Sequence, residues 1–122
     1  MKKIGIVICN YNKKDYVLNC IQSVLESKNQ DFDLYVADNA STDGSVEAIK
    51  ETYGDAVTVL VNPENLGGSG GFNLGIRKIL EEGYEYLCCL DNDILVDENA
   101  LGALADYLDA HPDTGVCGSI VY

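Results

Sequence analysis

Lys3-Ile4-Gly5-Ile6-Val7-Ile8-Cys9 is the stretch that decides the fold. It is short, almost continuously apolar and rich in β-branched residues, which is typical of a β-strand buried on both faces. Such strands occur in parallel sheets that helices cover on both sides. The sequence after it should therefore alternate between helices and further buried strands.

The rest of the chain follows this alternation. Within residues 14–26, five apolar residues recur at the spacing of one helix face: Val17, Cys20, Ile21, Val24 and Leu25. Further strands are predicted at 33–37, 56–61, 84–90 and 115–121. Helices are predicted after Gly44, from the glycine-rich stretch to about Glu82, and from Asp97. The order βαβαβαβαβ predicts an α/β fold, a mostly parallel sheet with helices on both faces.

Length and composition limit the classes of function that the chain can have. A chain of 122 residues with 47% apolar residues fits one globular domain, spanning 1–122. Twenty acidic residues outnumber eight basic ones, which argues against a nucleic-acid binder. Five cysteines within apolar segments, without a secretory signal or a membrane-spanning run, favour thiols in a reducing cytoplasm. We expect a cytoplasmic location, either away from the membrane or at its inner face.

Polar clusters follow four of the predicted strands. They are Asn10-Tyr11-Asn12, Asp38-Asn39, Asn65 with the glycine-rich loop to Gly71 that includes Gly68, and Asp91-Asn92-Asp93. In an open parallel sheet, ligands bind beyond the carboxyl ends of the strands. Each cluster alone has a plainer explanation: a turn for the aspartates, helix capping for Asn10 and Asn12, and a flexible connector for the glycines. Together on one edge they predict a binding site.

The last cluster indicates a metal. Asp91 and Asp93 are two residues apart at a strand end, and the formal charge of the chain is −12. Two such carboxylates repel each other unless a cation lies between them. A divalent metal that carries a phosphate-bearing ligand would solve this, and would let an acidic site hold an anionic diphosphate. Asp38 could accept hydrogen bonds from a base or ribose, and the helix after the glycines favours anions.

Two familiar phosphate-binding motifs are excluded. The dinucleotide fingerprint belongs after the first strand, and here Asn73 stands where its third glycine would be. A Walker loop requires Gly-Lys-Ser/Thr, which does not follow the glycines.

Four ordered motifs resemble the nucleotide-binding half of family 2 glycosyltransferases with the GT-A fold. These are residues 6–12, 36–45, 65–75 and 90–93. The Asp-Asn-Ala-Ser sequence at 38–41, together with the Gly-Gly-Ser-Gly-Gly loop, is most similar to the rhamnosyltransferase and galactofuranosyltransferase-like branch. The resemblance covers essentially the whole chain.

The resemblance implies a role for each motif residue. Asn10, Tyr11 and Asn12 would line the base pocket, and Asp38 would hydrogen-bond uracil or thymine, with Asn39 standing where many relatives have a second Asp. Asn65 and Gly68 would border the nucleotide, and Asn92 would belong to the same site. Asp91 would face the ribose or the metal's water shell, and Asp93 would ligate Mn²⁺ or Mg²⁺ bridging the diphosphate.

The implied function is inverting transfer of a sugar from a UDP- or dTDP-linked donor to a glycan or lipid-linked acceptor, as in cell-wall or polysaccharide synthesis. Residues 94–122 contain no convincing general base, so no catalytic residue is assigned. We expect a fragment that lacks the acceptor-binding half, is inactive alone, and can form a homodimer. The alternative is a non-catalytic nucleotide- or metal-binding module. A phosphatase with Asp91 as nucleophile is disfavoured, because no Lys follows Lys78.

Overall fold

A computed structural model describes residues 4–28, 32–62, 67–84 and 86–91, together with residues 99 and 103. In these ranges strands and helices alternate along the chain. The elements are β1 (Ile4–Asn10), α1 (Lys14–Leu25), β2 (Phe32–Asp38), α2 (Ser45–Tyr53), a 3₁₀ turn (Gly54–Ala56), β3 (Val57–Val61), α3 (Gly67–Glu82) and β4 (Tyr86–Asp91). The predicted fifth strand at 115–121 lies outside the described residues. Within the predicted fourth helix, Ala103 N donates to Asn99 O at 3.0 Å, as in an α-helix.

The described strands form one sheet in the order β3-β2-β1-β4, and every pair is parallel. Ile4, Ile6 and Ile8 of β1 pack with α1 and α2 on one face of the sheet. Val7 packs with Ile79 of α3 on the other face. The predicted α/β fold with helices on both faces is therefore confirmed for the described residues.

The side chains of each strand alternate between the two faces. Cys88 belongs to the core on the α1 side and Cys89 packs against the core on the α3 side, as expected for adjacent strand residues. The predicted stripe of α1 is also correct, because Val17, Cys20, Ile21 and Val24 are buried.

The predicted glycine-rich loop is wrong in extent. The helix α3 begins at Gly67, so the glycines at 67, 68, 70 and 71 are helical and do not form a loop. Glycine disfavours a helix by about 1 kcal/mol per residue, but tertiary context overrides this weak preference. Here the context is a helix that lies directly on the sheet.

The apolar residues Phe72, Ile76, Ile79 and Leu80 predict the inner face of this helix, and the side chain of Phe72 lies outside the described residues. Leu80 differs from this prediction. It is 69% exposed, whereas Ile79 is buried. The face of α3 against the sheet includes Gly75 and Ile79, which are four residues apart, and Leu80 is about 100° further around the helix. The prediction is therefore correct for Ile79, and for Ile76, which packs against the same cluster, and wrong for Leu80.

Gly75 sets how closely α3 approaches the sheet. A Cβ atom at this position would lie 2.1 Å from Val7 Cγ2 and 3.7 Å from Ala37 Cβ. Gly5 makes the reciprocal approach from β1, where a Cβ would lie 2.7 Å from Ile79 Cγ2. The helix and the central strand each have a glycine where the other presents a branched side chain.

A tyrosine pair closes the α3 side of the sheet away from the carboxyl ends of the strands. The Tyr35 and Tyr84 hydroxyls are 2.8 Å apart, and the Tyr84 hydroxyl donates to the Asp33 carboxylate. Burial, and then the hydrogen bonds with Asp33 and Tyr35, raise the pKa of Tyr84 far above its ordinary value. These groups hold the start of β4 against β2 and take no part in the polar clusters at the carboxyl ends.

Candidate functional site

The strand register aligns the ends of the parallel strands. Asn10 at the end of β1 is opposite Asp38 at the end of β2, and Asp38 is opposite Val61 at the end of β3. On the other side of β1, Cys9 is opposite Asp91 at the end of β4. The predicted convergence on one edge therefore holds for the backbone of these residues.

The structure covers only some of the predicted site residues. Asn65, Asn92 and Asp93 lie outside the described residues. Gly68 lies in the first turn of α3, which follows β3. In the part of the chain that the structure describes, there is no group of three or more His, Cys, Asp or Glu side chains that could hold a metal.

Asp38 is the centre of a buried hydrogen-bond network. Its side chain is 0% exposed. Oδ1 accepts hydrogen bonds from Asn10 Nδ2 at 2.9 Å and from Ser41 Oγ at 2.7 Å, and Oδ2 accepts one from Ser41 N at 2.8 Å. A carboxylate removed from water is tolerated only when such donors replace its hydration. Asp38 thereby fixes both the end of β1 and the turn after β2.

Asn12 joins the loop after β1 to the loop after β2. Its backbone N donates to Ser41 Oγ at 2.9 Å, and its Oδ1 accepts from Thr42 N at 2.7 Å. Asn12 and Ala40 both have positive φ angles, 50° and 65°, which are unfavourable for residues with a side chain. The bonds between the loops hold these two conformations in place.

The capping explanation for the asparagines is not supported. The N-cap of α1 is Lys13, which makes no side-chain capping bond. Instead, the Asp43 carboxylate accepts hydrogen bonds at the N-termini of both α1 and α2. It accepts from Lys14 N at 3.1 Å, from Ser45 N at 3.0 Å and from the Ser45 hydroxyl. A carboxylate between two helix N-termini is electrostatically favourable.

The pKa of Asp43 reflects these bonds. Partial burial by itself raises the pKa of this carboxyl, but hydrogen bonds from the Ser45 hydroxyl and from the backbone of Lys14 and Ser45 outweigh burial and lower it. A lowered pKa in the folded state means that the ionised form favours folding. This stabilisation is present above the ordinary aspartate pKa and is lost as the pH falls through the lower, folded value.

We expect the stability gained from Asp43 to disappear on acidification below about pH 4. The Asp43→Asn variant should be about 0.5–1 kcal/mol less stable than the wild type at pH 7, and the difference should shrink towards pH 3. Urea unfolding at a series of pH values measures it. Asp55→Asn, at an exposed carboxylate outside this network, is the matched control. A difference that stays constant with pH would contradict the capping role.

Asn39 is buried and pairs with a residue that the sequence did not single out. Asn62 Nδ2 donates to Asn39 Oδ1 at 3.3 Å, and both side chains are buried. The backbone N of Asn62 donates to Asp38 O at 2.8 Å, and that of Asn39 to Asn10 O at 2.8 Å. Asn62 directly follows β3, and its position as a polar residue at a strand end is the sequence signal that could have identified it.

Exposed polar and aromatic groups lie beside the buried network. Tyr11 is 44% exposed. An open cleft of about 390 Å³ is lined by Asn12, Lys13, Lys14, Asp15, Tyr16 and Asp43. Lys13 Nζ lies 5.7 Å from the centre of the Tyr16 ring, a cation–π distance. A ligand at this edge would therefore contact the rings of Tyr11 and Tyr16 and the loops after β1 and β2. The buried hydrogen-bond network around Asp38 lies beneath these loops.

The family follows from a domain match. The domain described as "Glycosyl transferase family 2" matches residues 5–122. The chain belongs to glycosyl transferase family 2. Abequosyltransferase RfbV of Salmonella typhimurium is 30% identical over 119 residues, which is 93% of this chain and 35% of that protein. The dTDP-rhamnosyl transferase RfbG of Shigella flexneri is 27% identical over 90 residues, 70% of this chain and 31% of that protein.

Solved structures of glycosyltransferases share the fold. TarS residues 1–349 of S. aureus, in complex with UDP-GlcNAc, superimposes with a TM-score of 0.80 at 22% identity, over 90% of this chain and 32% of that one. The mannosyltransferase PcManGT of Pyrobaculum calidifontis, in complex with GDP-Man and Mn²⁺, has a TM-score of 0.76 at 22% identity, over 88% and 32%. These similarities confirm the GT-A fold of this family 2 domain.

The chain is much shorter than the family 2 proteins that it resembles. It spans between 14% and 35% of the length of its curated relatives. No described helix is both long and apolar enough to cross a membrane.

Proposed function

We propose that this domain binds the nucleotide diphosphate sugar donor of a metal-dependent, inverting glycosyltransferase. The observation that supports this most strongly is the network joining Asn10, Asp38 and the loop at Ser41 on the carboxyl edge of the sheet. It provides a preorganised floor beside exposed aromatic and polar groups, at the edge where parallel sheets bind nucleotides. Membership of glycosyl transferase family 2 supports a nucleotide sugar as the ligand.

The base would lie over the joined loops. Tyr11 is exposed enough to stack on it, and Asn12 borders it. Asp38 Oδ2 accepts one hydrogen bond from a described residue and, as a carboxylate oxygen, has capacity for a second. Because Asp38 is fully buried, a base N–H would reach Oδ2 only after the groups above it move. Asn39 is buried and accepts a hydrogen bond from Asn62, so in this proposal it supports the base site from beneath.

The diphosphate would lie towards the end of β4. The backbone of Asp91 is beside Cys9, one residue before Asn10. Asp91 and Asp93 supply carboxylate oxygens, which suit Mg²⁺ or Mn²⁺. When bound, such an ion neutralises the diphosphate and stabilises it as a leaving group. In this proposal Asp93 ligates the ion, Asp91 is shared between the ion and the ribose, and Asn65, Gly68 and Asn92 border the nucleotide.

The remaining parts of the proposal concern the whole protein. The acceptor would be a glycan or a lipid-linked sugar, and the acceptor-binding half and the general base would lie in sequence that the longer relatives possess and this chain does not span. The cysteines in apolar segments fit a reducing cytoplasm. Assembly as a homodimer stays a prediction.

A binding titration tests the donor site. UDP and dTDP are titrated against the wild type and Asp93→Ala, with Mn²⁺ or with a chelator in its place. We expect removal of the metal to weaken binding at least about tenfold, the equivalent of about 1.4 kcal/mol, and Asp93→Ala to bind as weakly with Mn²⁺ as the wild type does without it. Asp55→Ala, at an exposed carboxylate in the 3₁₀ turn, is the control and should bind normally.

Two results would contradict the proposal in different ways. Nucleotide binding that ignores both the metal and Asp93 would remove the metal mechanism and favour a non-catalytic nucleotide-binding module. No binding of either nucleotide in the presence of Mn²⁺ would remove the donor site itself.

A further inference from the structure

The Ser41 hydroxyl makes hydrogen bonds to both sides of the proposed base pocket. It donates to Asp38 Oδ1 at 2.7 Å and accepts from Asn10 Nδ2 at 3.3 Å and from Asn12 N at 2.9 Å. A serine hydroxyl has one donor and two acceptor positions. All three are used, so this single oxygen connects the ends of β1 and β2 with the loop after β1.

Ser41 is half-buried, and its neighbour Asn12 carries the strained backbone of the loop. The backbone N of Asn12, which has a φ of 50°, donates to Ser41 Oγ. Asn12 makes a second hydrogen bond to the loop after β2, because its Oδ1 accepts from Thr42 N. Without the Ser41 hydroxyl, Asn12 N would lose this acceptor and the unfavourable φ would lose part of its support.

We propose that Ser41 is a positioning residue of the donor site. Its hydroxyl fixes Asn12, and through the chain Tyr11, at the distance from Asp38 that a pyrimidine base requires. Ser41 does not itself contact the ligand. This inference rests on the proposed donor site and adds to it a residue with a function that is specific to the base.

The inference predicts that Ser41→Ala weakens base recognition and leaves diphosphate recognition intact. UDP and inorganic pyrophosphate are each titrated in the presence of Mn²⁺ against the wild type, Ser41→Ala and Ser41→Thr. We expect UDP to bind on the order of tenfold more weakly to Ser41→Ala, as for the loss of one or two hydrogen bonds, and pyrophosphate to bind unchanged. Ser41→Thr, which keeps the hydroxyl, should restore UDP binding to within about threefold.

Stability is measured in parallel so that general damage is recognised. Ser23→Ala is the matched control, because Ser23 Oγ donates to Cys20 O at 2.7 Å on α1, away from the carboxyl edge. This variant should lose some stability and no UDP affinity. If Ser41→Ala does not fold, Ser41→Cys, with a similar size and a weak hydrogen-bonding sulfur, is used in its place with the same expected pattern.

The outcomes separate the two proposals. If the wild type binds UDP and Ser41→Ala or Ser41→Cys binds it equally well, the positioning role is wrong and the donor site stands. An equal loss of UDP and pyrophosphate binding would also overturn it, because the effect would not be specific to the base. If the wild type binds neither ligand, the donor site fails and the inference fails with it.

Discussion

Asp38→Ala is expected to remove nucleotide binding and to cost about 3–5 kcal/mol of folding free energy. Three donors point at the Asp38 carboxylate, from Asn10 Nδ2, Ser41 N and Ser41 Oγ, and the site is closed to water. The substitution removes their shared acceptor and leaves a polar cavity. Since a domain of this size is stable by only about 5–15 kcal/mol, a large part of its stability depends on this one side chain.

The Asp38→Asn variant removes the negative charge of the side chain and keeps its shape. An amide oxygen can keep both bonds of Oδ1, but the NH₂ group would then face the Ser41 N–H, donor against donor. We expect an intermediate loss of about 2 kcal/mol, measured by urea unfolding followed by the fluorescence of the eight tyrosines, because the chain has no tryptophan. Isothermal titration with UDP and Mn²⁺ gives the binding. A fully stable Asp38→Ala protein would show that the network is dispensable.

Gly75→Ala is expected to destabilise the domain by about 2–3 kcal/mol, although alanine is the better helix former. The added Cβ would lie 2.1 Å from Val7 Cγ2, a distance that no packed atoms adopt. Either α3 must move away from β1, or Val7 must leave its rotamer within a buried cluster. Gly83→Ala is the control, since Gly83 has a positive φ of 80° and open space around its Cβ position, so only backbone strain is measured there.

A double-mutant cycle tests whether the contact with Val7 is the cause. Val7→Ala removes Cγ2 and leaves Cβ, which is 3.1 Å from the position of the added alanine carbon. The double variant should therefore be more stable than the sum of the single effects, by about 1–2 kcal/mol. Strict additivity would mean that the helix–sheet approach is not limited at this point.

The sequence was sufficient for the architecture because the architecture has a local signature. The apolar run at the first strand and the helical spacing of Val17, Cys20, Ile21 and Val24 are visible within short windows. The glycines at 67–71 were misassigned because their propensity contradicts the helix that they form, and only the proximity of α3 to the sheet explains it.

The site was predictable in location and less so in detail. Polar residues at successive strand ends indicated the edge on which Asn10 and Asp38 meet. The bonds of Asn12 with Ser41 and Thr42, and of Asn39 with Asn62, join residues that are 23 or more positions apart. No local pattern encodes such pairings, so a capping role for Asn12 was as plausible from the sequence as its actual partner on the neighbouring loop.

The strand order also has a consequence for folding. Strand β1 pairs with β2 on one side and with β4 on the other. The elements α1, β2, α2, β3 and α3 separate β1 from β4 along the chain, so the β1–β4 pair joins residues that are far apart in the sequence. Contacts of such high sequence separation slow folding, because the entropy of closing the long loop is lost before the pairing is gained. During synthesis, one edge of β1 stays open until β4 has left the ribosome. Strand β1 is made before β4 and is thus enclosed late, and chaperone protection of its open edge would matter most at that stage.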